Sequence, residues 1–224
     1  MDTISDVSPG AAAGRRALLV LLPGAYDGPQ EFVANGFVSA VRERGLALDV
    51  VAVDSHLGYF TGQTIIERLQ HDVIEPARAR GYGAVWLAGI SLGGYGSLLY
   101  AREHAAEIDG IIVLAPFLGT RGLVAEIERA GGLAAWQPEP FPAHDYERAL
   151  LAWLKDYGAD HGTIPPICLG YGADDRFAAA HRLLAARLPR SRVWTLPGGH
   201  DWPTWMALWT GMLDAGVMSQ VVPR

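Results

Sequence analysis

Six short apolar runs recur along the chain, and each is followed by a residue that disfavours a continuing strand. They are Ala17–Leu22, Leu48–Val53, Ala84–Ala88, Ile111–Ala115, Ile167–Tyr171 and the less regular Arg192–Leu196. Continuous apolar runs of this length are typical of strands that are buried on both faces, as in parallel sheets. The pattern therefore predicts a mostly parallel sheet of about six strands.

Segments with helical spacing of apolar residues lie between these runs. They are Glu31–Arg44, Thr64–Arg80, Leu92–His104, Arg176–Leu188 and Trp202–Leu213. Within the second segment, Pro76 is expected to bend or shorten the helix. Alternating strands and helices predict an α/β fold with helices on both faces of the sheet. A length of 224 residues fits one domain, 15–224, with this architecture.

Two segments depart from this alternation. Residues 1–14 are small and polar, and they predict a flexible N-terminal tail. Residues 117–164 contain two helical patterns, Leu123–Ala130 and Tyr146–Tyr157, joined by a Trp- and Pro-rich stretch. A long interval without a strand inside a compact domain is usually functional. We interpret 117–164 as a small helical cap over the carboxyl edge of the sheet.

The segment Gly89-Ile90-Ser91-Leu92-Gly93 stands between a predicted strand and a predicted helix. A sharp strand-to-helix turn exposes a serine hydroxyl, and such a turn needs very small residues two positions before and after the serine. The five-residue pattern is weak alone, but the flanking elements supply the required context. The alternative is a Gly-rich structural turn whose serine only caps the helix.

From Ala17 to the C-terminus the chain resembles the α/β-hydrolase superfamily. The resemblance implies a catalytic triad of Ser91, a carboxylate after a late strand and a histidine in the last loop. His200 follows the sixth run and has the position of the base. Gly172-Ala173-Asp174-Asp175 follows the fifth run, and the family spacing selects Asp175, with Asp174 as the alternative.

The resemblance also implies an oxyanion hole formed by backbone N–H groups of Leu92 and of the loop after the first strand. Many relatives have His-Gly in that loop, whereas this chain has Pro23-Gly24, and we assign the second donor to Ala25. Aromatic residues near these positions are candidates for the substrate pocket: Tyr26, Phe117, Trp136, Phe141 and Trp202. The remaining histidines are predicted to be solvated, with a place in the pocket lining as the alternative for the first and fourth of them: His56, His71, His104, His144, His161 and His181.

Composition narrows the classes of partner. The net charge is −6 without a basic stripe, which argues against nucleic acid as a partner. No apolar run is long enough to insert into a membrane, and no secretory signal is recognisable. The single cysteine, Cys168, is predicted to be buried in a strand, and a chain without disulfides fits the cytoplasm. No metal-ligand spacing or nucleotide fingerprint appears, so no cofactor is predicted.

These features predict a serine hydrolase that cleaves a carboxylic ester with a small or medium acyl chain through an acyl-enzyme. The same fold also serves thioesterases, lysophospholipases and C–C bond hydrolases. An alternative of a different class is a hydrolase-fold protein that binds a ligand without catalysis. The sequence does not indicate an oligomeric state.

Overall fold

The computed structural model describes residues 1–9, 16–157 and 164–218. These residues form a seven-stranded sheet in the order β1-β3-β2-β4-β5-β6-β7, in which only the β1–β3 pair is antiparallel. The strands are β1 Thr3–Asp6, β2 Arg16–Leu22, β3 Asp49–Val53, β4 Tyr82–Ile90, β5 Gly110–Leu114, β6 Ile167–Gly172 and β7 Val193–Leu196.

Helices cover both faces of the sheet. They are α1 Pro29–Ala34, α2 Phe37–Glu43, α3 Leu57–Thr61, α4 Ile65–Leu69, α5 Glu75–Ala79, α6 Leu92–Glu103, α7 Arg121–Arg129, α8 Tyr146–Lys155, α9 Ala178–Ala185 and α10 Trp202–Asp214. A π-helical turn, Gln70–Ile74, joins α4 to α5, and short 3₁₀ helices span Ala105–Glu107 and Arg190–Arg192.

The alternation of side chains along β2 divides the core into two layers. Leu18, Val20 and Leu22 pack with residues of α4 and α6 to α9, whereas Leu19 and Leu21 pack with α1, α2 and α10. Because both sets are buried, the strand needs apolar residues at consecutive positions. This burial on both faces explains why the predicted runs are continuous, and all six predicted strands are present as β2 to β7.

The flexible tail predicted for residues 1–14 is wrong in its first part. Residues Thr3–Asp6 pair antiparallel with β3 in a register that places Thr3 opposite Val53. The segment is fastened by an ion pair of Asp6 with Arg42 and by a hydrogen bond from Ser8 N–H to Asp49. These tertiary contacts select the strand, because its own side chains are mostly exposed. Residues 10–15 lie outside the described residues.

Two predicted helices differ in detail. The predicted Glu31–Arg44 helix is broken into α1 and α2 at Gly36, whose φ of 83° is left-handed. The helix predicted at Thr64–Arg80 continues from α4 to α5, and the π-helical turn ends two residues before Pro76. Proline lacks an N–H group, and a local π turn is one way in which a helix accommodates that loss.

Both helices predicted within 117–164 form, as α7 and α8. Their buried faces, including Leu123, Ile127, Leu150 and Leu154, join the core layer that contains Leu18. Residues 158–163 lie outside the described part of the chain. The role of 117–164 as a cap over the reacting centre stays a prediction.

Two further predictions concern single properties. Cys168 is buried in β6, and burial raises the pKa of its thiol to about 11, which makes the thiolate scarce at neutral pH. Within residues 1–9, 16–157 and 164–218, no helix has the length and apolar character required to cross a membrane.

Candidate active site

Ser91 lies at a sharp turn between the last residue of β4 and the first residue of α6. Its φ of 51° and ψ of −113° are sparsely populated for residues other than glycine. The backbone is held on both sides, because Ser91 N–H donates to Leu114 O at 3.0 Å and Ser91 O accepts from Tyr95 N–H at 3.1 Å and Phe117 N–H at 2.9 Å. The surrounding hydrogen bonds therefore maintain a strained backbone.

Gly89 and Gly93 are required by this turn. A Cβ atom at Gly89 would lie 2.3 Å from Gly93 O, and a Cβ atom at Gly93 would lie 2.1 Å from Leu22 O. Both distances are far below van der Waals contact with backbone atoms that cannot rotate away. The packing thus gives the physical reason for the small residues on either side of Ser91.

The turn places Ser91 beside two side chains from distant loops. Ser91 Oγ lies 2.9 Å from His200 Nε2, and His200 Nδ1 lies 2.7 Å from Asp175 Oδ2. The edges of Phe177 and Trp205 approach the His200 ring, each with 5.1 Å between ring centroids. These contacts fix the imidazole between an oxygen nucleophile and a carboxylate, which is the geometry required for nucleophilic catalysis by serine.

Asp175 is the carboxylate that the structure brings to His200. Its side chain is fully buried, and burial acting alone would raise its pKa. Hydrogen bonds from His200 and from Phe177 N–H outweigh this effect, so the pKa of Asp175 lies below its ordinary value. The neighbouring Asp174 instead accepts a hydrogen bond from Gly198 N–H, and Asp201 accepts one from Thr204 N–H at the start of α10.

The loop after β2 lies directly against the serine. A Cβ atom at Gly24 would be 3.8 Å from Ser91 Cβ, so the backbone of this loop passes close to the hydroxyl. The next residues are Ala25, which is half-buried, and Tyr26, whose side chain is 96% exposed. The closeness of Gly24 is compatible with the assignment of Ala25 as an oxyanion donor, which stays a prediction.

A cavity of about 310 Å³ adjoins the first turn of α6. Its apolar wall includes Phe60, Ile65, Leu92, Leu99 and Phe117, and Tyr95 stands among them. Two aromatic members are linked directly to the elbow, because Tyr95 and Phe117 both donate their backbone N–H groups to Ser91 O. The remaining lining residues form a polar rim: Thr61, Gln63, His144, Asp145, Tyr146 and Glu147.

Tyr95 is the most deeply placed polar side chain of this wall. It is 7% exposed, and its ring contacts Phe60 and Phe117. Burial raises the pKa of its phenol well above the ordinary value, with a smaller contribution from nearby Glu147. The phenol is therefore neutral throughout the pH range of ordinary assays, and it presents a hydroxyl rather than a charge.

Residues 60–215 match the model of a protein family described as "Putative esterase". The match covers more than half of the chain and includes Ser91, Asp175 and His200, but not the loop after β2. The chain belongs to this esterase family.

A curated protein is similar to this chain in sequence, and solved structures are similar to it in fold. An acetyl esterase of Caldicellulosiruptor saccharolyticus is 25% identical over 181 residues, which are 73% of this chain and 64% of that protein. The chain therefore spans less than two thirds of the length of that curated relative.

Solved structures share the architecture at low identity. Est1E from Butyrivibrio proteoclasticus superposes with a TM-score of 0.63 at 17% identity, over 98% of this chain and 93% of Est1E. A monoacylglycerol lipase from Paleococcus ferrophilus has a TM-score of 0.63 at 16% identity, over 97% and 98% of the two chains. The fold of the present esterase-family member is that of the α/β-hydrolases.

The predicted pocket residues are only partly brought together. Phe117 lines the cavity, but Tyr26, Trp136, Phe141 and Trp202 are not among its lining residues. Trp136 is 1% exposed and donates its indole N–H to Glu126. Trp202 packs against aromatic rings of α1, α2 and α10, Phe141 is half-buried in a loop, and Tyr26 points to solvent.

The structure also corrects the prediction for one histidine. His181 was expected on the surface, but it is 0% exposed, on the inner face of α9 with Ala178 and Leu184. Apolar residues three positions before and after it were the signal for burial. The structure places His161 outside the described residues, and His56, His71, His104 and His144 retain solvent exposure.

Proposed function

We propose that this protein is a serine hydrolase that cleaves carboxylic esters of small or medium acyl chains through Ser91, His200 and Asp175. The observation that supports the proposal most strongly is the pair of contacts from His200 to Ser91 Oγ and Asp175 Oδ2. The contacts occur at a turn whose backbone is strained at Ser91, and such strain is concentrated at functional sites.

In the proposed reaction His200 Nε2 takes the hydroxyl proton as Ser91 Oγ attacks the ester carbonyl carbon. Collapse of the tetrahedral intermediate breaks the bond to the alcohol oxygen, which receives that proton from His200. Water then attacks the acyl-enzyme with His200 again as the base, and the carboxylic acid leaves. Asp175 remains ionised, holds the tautomer with Nδ1–H and stabilises the imidazolium ion.

The negative charge of the tetrahedral intermediate needs backbone donors. The N–H group of Leu92 is available because the first N–H groups of a helix have no acceptor within the helix. We assign the second donor to Ala25, since Gly24 brings this loop against Ser91. Removal of one such donor in other serine hydrolases costs about 10²–10³ in turnover, so the loop is a sensitive part of the proposal.

We assign the acyl group to the cavity walled by Phe60, Tyr95 and Phe117. A volume of about 310 Å³ is near the lower end for small-molecule sites, which favours short acyl groups. Its lining residues include Asp145 and Glu147 but no lysine or arginine. This rim favours neutral esters over substrates with an anionic head, including coenzyme A thioesters and lysophospholipids.

The test is a panel of p-nitrophenyl esters from acetate to palmitate, measured on wild type, Ser91→Ala and Ser39→Ala. Ser39 lies exposed on α2 and supplies a matched serine-to-alanine control. We expect the highest kcat/KM with short chains, a loss of at least about 10⁴ in Ser91→Ala and wild-type rates in Ser39→Ala.

Labelling with a fluorophosphonate probe separates an enzyme from a ligand-binding protein of the same fold. We expect labelling of wild type and Ser39→Ala and none of Ser91→Ala. Folded wild type that neither reacts with the probe nor hydrolyses any ester would exclude the proposed chemistry. Equal rates with acetyl thioesters and acetyl esters would instead redirect the proposal to thioesters.

A further inference from the structure

His181 is a buried, titratable side chain that the proposed reaction does not use. Its Nε2 atom lies 3.0 Å from Pro116 O, and its Nδ1 atom has no hydrogen-bond partner among the described residues. A carbonyl oxygen only accepts, so Nε2 must hold the proton of this contact. Burial lowers the pKa of His181 to about 4, so the ring is neutral at pH 7.

Pro116, the acceptor of this hydrogen bond, belongs to the turn after β5, which is hydrogen-bonded to the backbone of Ser91. At the start of this turn, Leu114 O accepts a hydrogen bond from Ser91 N–H. At its end, Phe117 N–H donates a hydrogen bond to Ser91 O. Ala115, between them, has a φ of 47°, which is unusual for alanine. His181 is therefore hydrogen-bonded to Pro116, in the middle of a strained turn that forms hydrogen bonds with both the N–H and the C=O group of Ser91.

The same turn also packs against the first turn of α6. A Cβ atom at Gly94 would lie 2.9 Å from Pro116 Cβ, so Pro116 packs closely against the backbone of α6 at this glycine. The hydrogen bond from His181 holds the carbonyl group of the same residue. Pro116 is thus restrained by contacts with two helices, α6 and α9.

Asp175 and His200 are the charged or titratable groups that act electrostatically on His181, and Tyr171 packs against its ring at 5.3 Å between centroids. His181 lies six residues after Asp175, on the helix that follows the same loop. One side chain therefore links the segment that holds the carboxylate to the turn that holds the nucleophile.

We infer that His181 is a positioning residue: its neutral Nε2–H, donated to Pro116 O, keeps the backbone of Ser91 in the conformation that reacts. The inference rests on the proposed function of Ser91. Because the hydrogen bond acts on the nucleophile and not on the cavity, its loss should lower kcat and leave KM nearly unchanged.

The experiment compares His181→Gln with His181→Met. The two side chains have similar length and volume, but only glutamine has an N–H donor near the position of Nε2. We expect His181→Gln to retain kcat within about threefold and His181→Met to lose roughly tenfold or more, each with KM within threefold. Equal kcat values for the two variants, normalised to fluorophosphonate-titrated sites, would overturn the inference.

Cys168→Ala is the control for a general loss of core packing. Cys168 is buried in β6, in the core layer that does not contain His181. We expect this variant to be less stable but to keep the wild-type kcat. If wild type shows no hydrolysis and no Ser91-dependent labelling, the proposed function is refuted, and the positioning role of His181 is not the part that has failed.

A measurement on wild type covers the case in which His181→Met does not fold. Nitrogen-15 NMR of the histidine rings at pH 7 should show His181 as the neutral tautomer with Nε2–H, and its proton should exchange slowly with solvent. The positioning role of His181 would be refuted by any of three results in wild type: the Nδ1–H tautomer, a charged ring at pH 7, or fast exchange of the ring proton.

Discussion

Gly93→Ala tests the elbow with a single added methyl group. The new Cβ atom would lie 2.1 Å from Leu22 O and 2.5 Å from Pro23 O, so it must separate from Leu22 O by about 0.9 Å to reach 3.0 Å. Leu22 ends β2 and leads into the loop with Gly24 and Ala25. The added methyl group therefore displaces the loop to which we assign an oxyanion donor.

A displacement of about 1 Å near reacting groups costs on the order of 10² in rate. We therefore expect kcat/KM for p-nitrophenyl acetate to fall roughly 100-fold in Gly93→Ala. Overpacking of this kind also lowers the free energy of unfolding by about 1–3 kcal/mol, which urea denaturation measures. The rate must be normalised to the folded fraction, so that the two effects are separated.

Gly211→Ala is the matched control. Gly211 lies within α10, and a Cβ atom there would meet no atom within 4 Å. The same substitution should raise the free energy of unfolding by about 1 kcal/mol, because alanine favours a helix over glycine, and kcat should not change. A Gly93→Ala enzyme with at least half of the wild-type kcat/KM would refute the steric explanation of the glycine pattern.

Three further changes test other parts of the site. Asp175→Asn should lower kcat by roughly 10⁴ while Asp174→Asn stays within a few-fold, and equal losses in ester hydrolysis would contradict our choice of carboxylate. His181 binds a proton more weakly in the folded protein than in the unfolded chain, so its contribution to stability is complete above pH 6.5 and is lost towards pH 4. In urea unfolding, the free energy of unfolding of wild type should therefore fall by on the order of 3 kcal/mol more than that of His181→Gln over this pH range. Parallel pH dependences of the two proteins would refute this prediction. Trp136→Phe removes the hydrogen bond to Glu126 and should lower the free energy of unfolding by about 1 kcal/mol without altering acyl-chain preference. Phe117→Ala should alter that preference in the ester panel. The reverse pattern would support the pocket role first assigned to Trp136.

The central part of the fold could be predicted from sequence because β2 to β7 are buried on both faces or follow a clear helix. Burial on both faces leaves an unbroken apolar run, which is a local signal. Strand β1 has no such signal, since three of its four residues are exposed. Its pairing depends on Arg42 and Asp49, which are remote in sequence, and no local pattern predicts such contacts.

The site shows the same division between local and tertiary signals. Ser91, Asp175 and His200 follow strands that end at one edge of a parallel sheet, so topology alone brings them close, although their catalytic roles remain a proposal. The pocket was predicted less well, because a tryptophan is equally suited to a pocket and to a core. Trp136 is buried in the core layer of α7 and α8 and donates its indole N–H to Glu126, and the sequence indicates neither contact.

Strand β1 has a consequence for association between copies of this chain. Without it, the Val-rich β3 would expose a row of unpaired backbone N–H and C=O groups, and such an edge is a template for pairing with another molecule. The opposite edge is the short β7, with four residues. Strand β1 therefore replaces a Val-rich edge with a four-residue edge of mostly polar residues, which is a poorer template for edge-to-edge pairing, and we expect removal of β1 to promote association of copies of this chain.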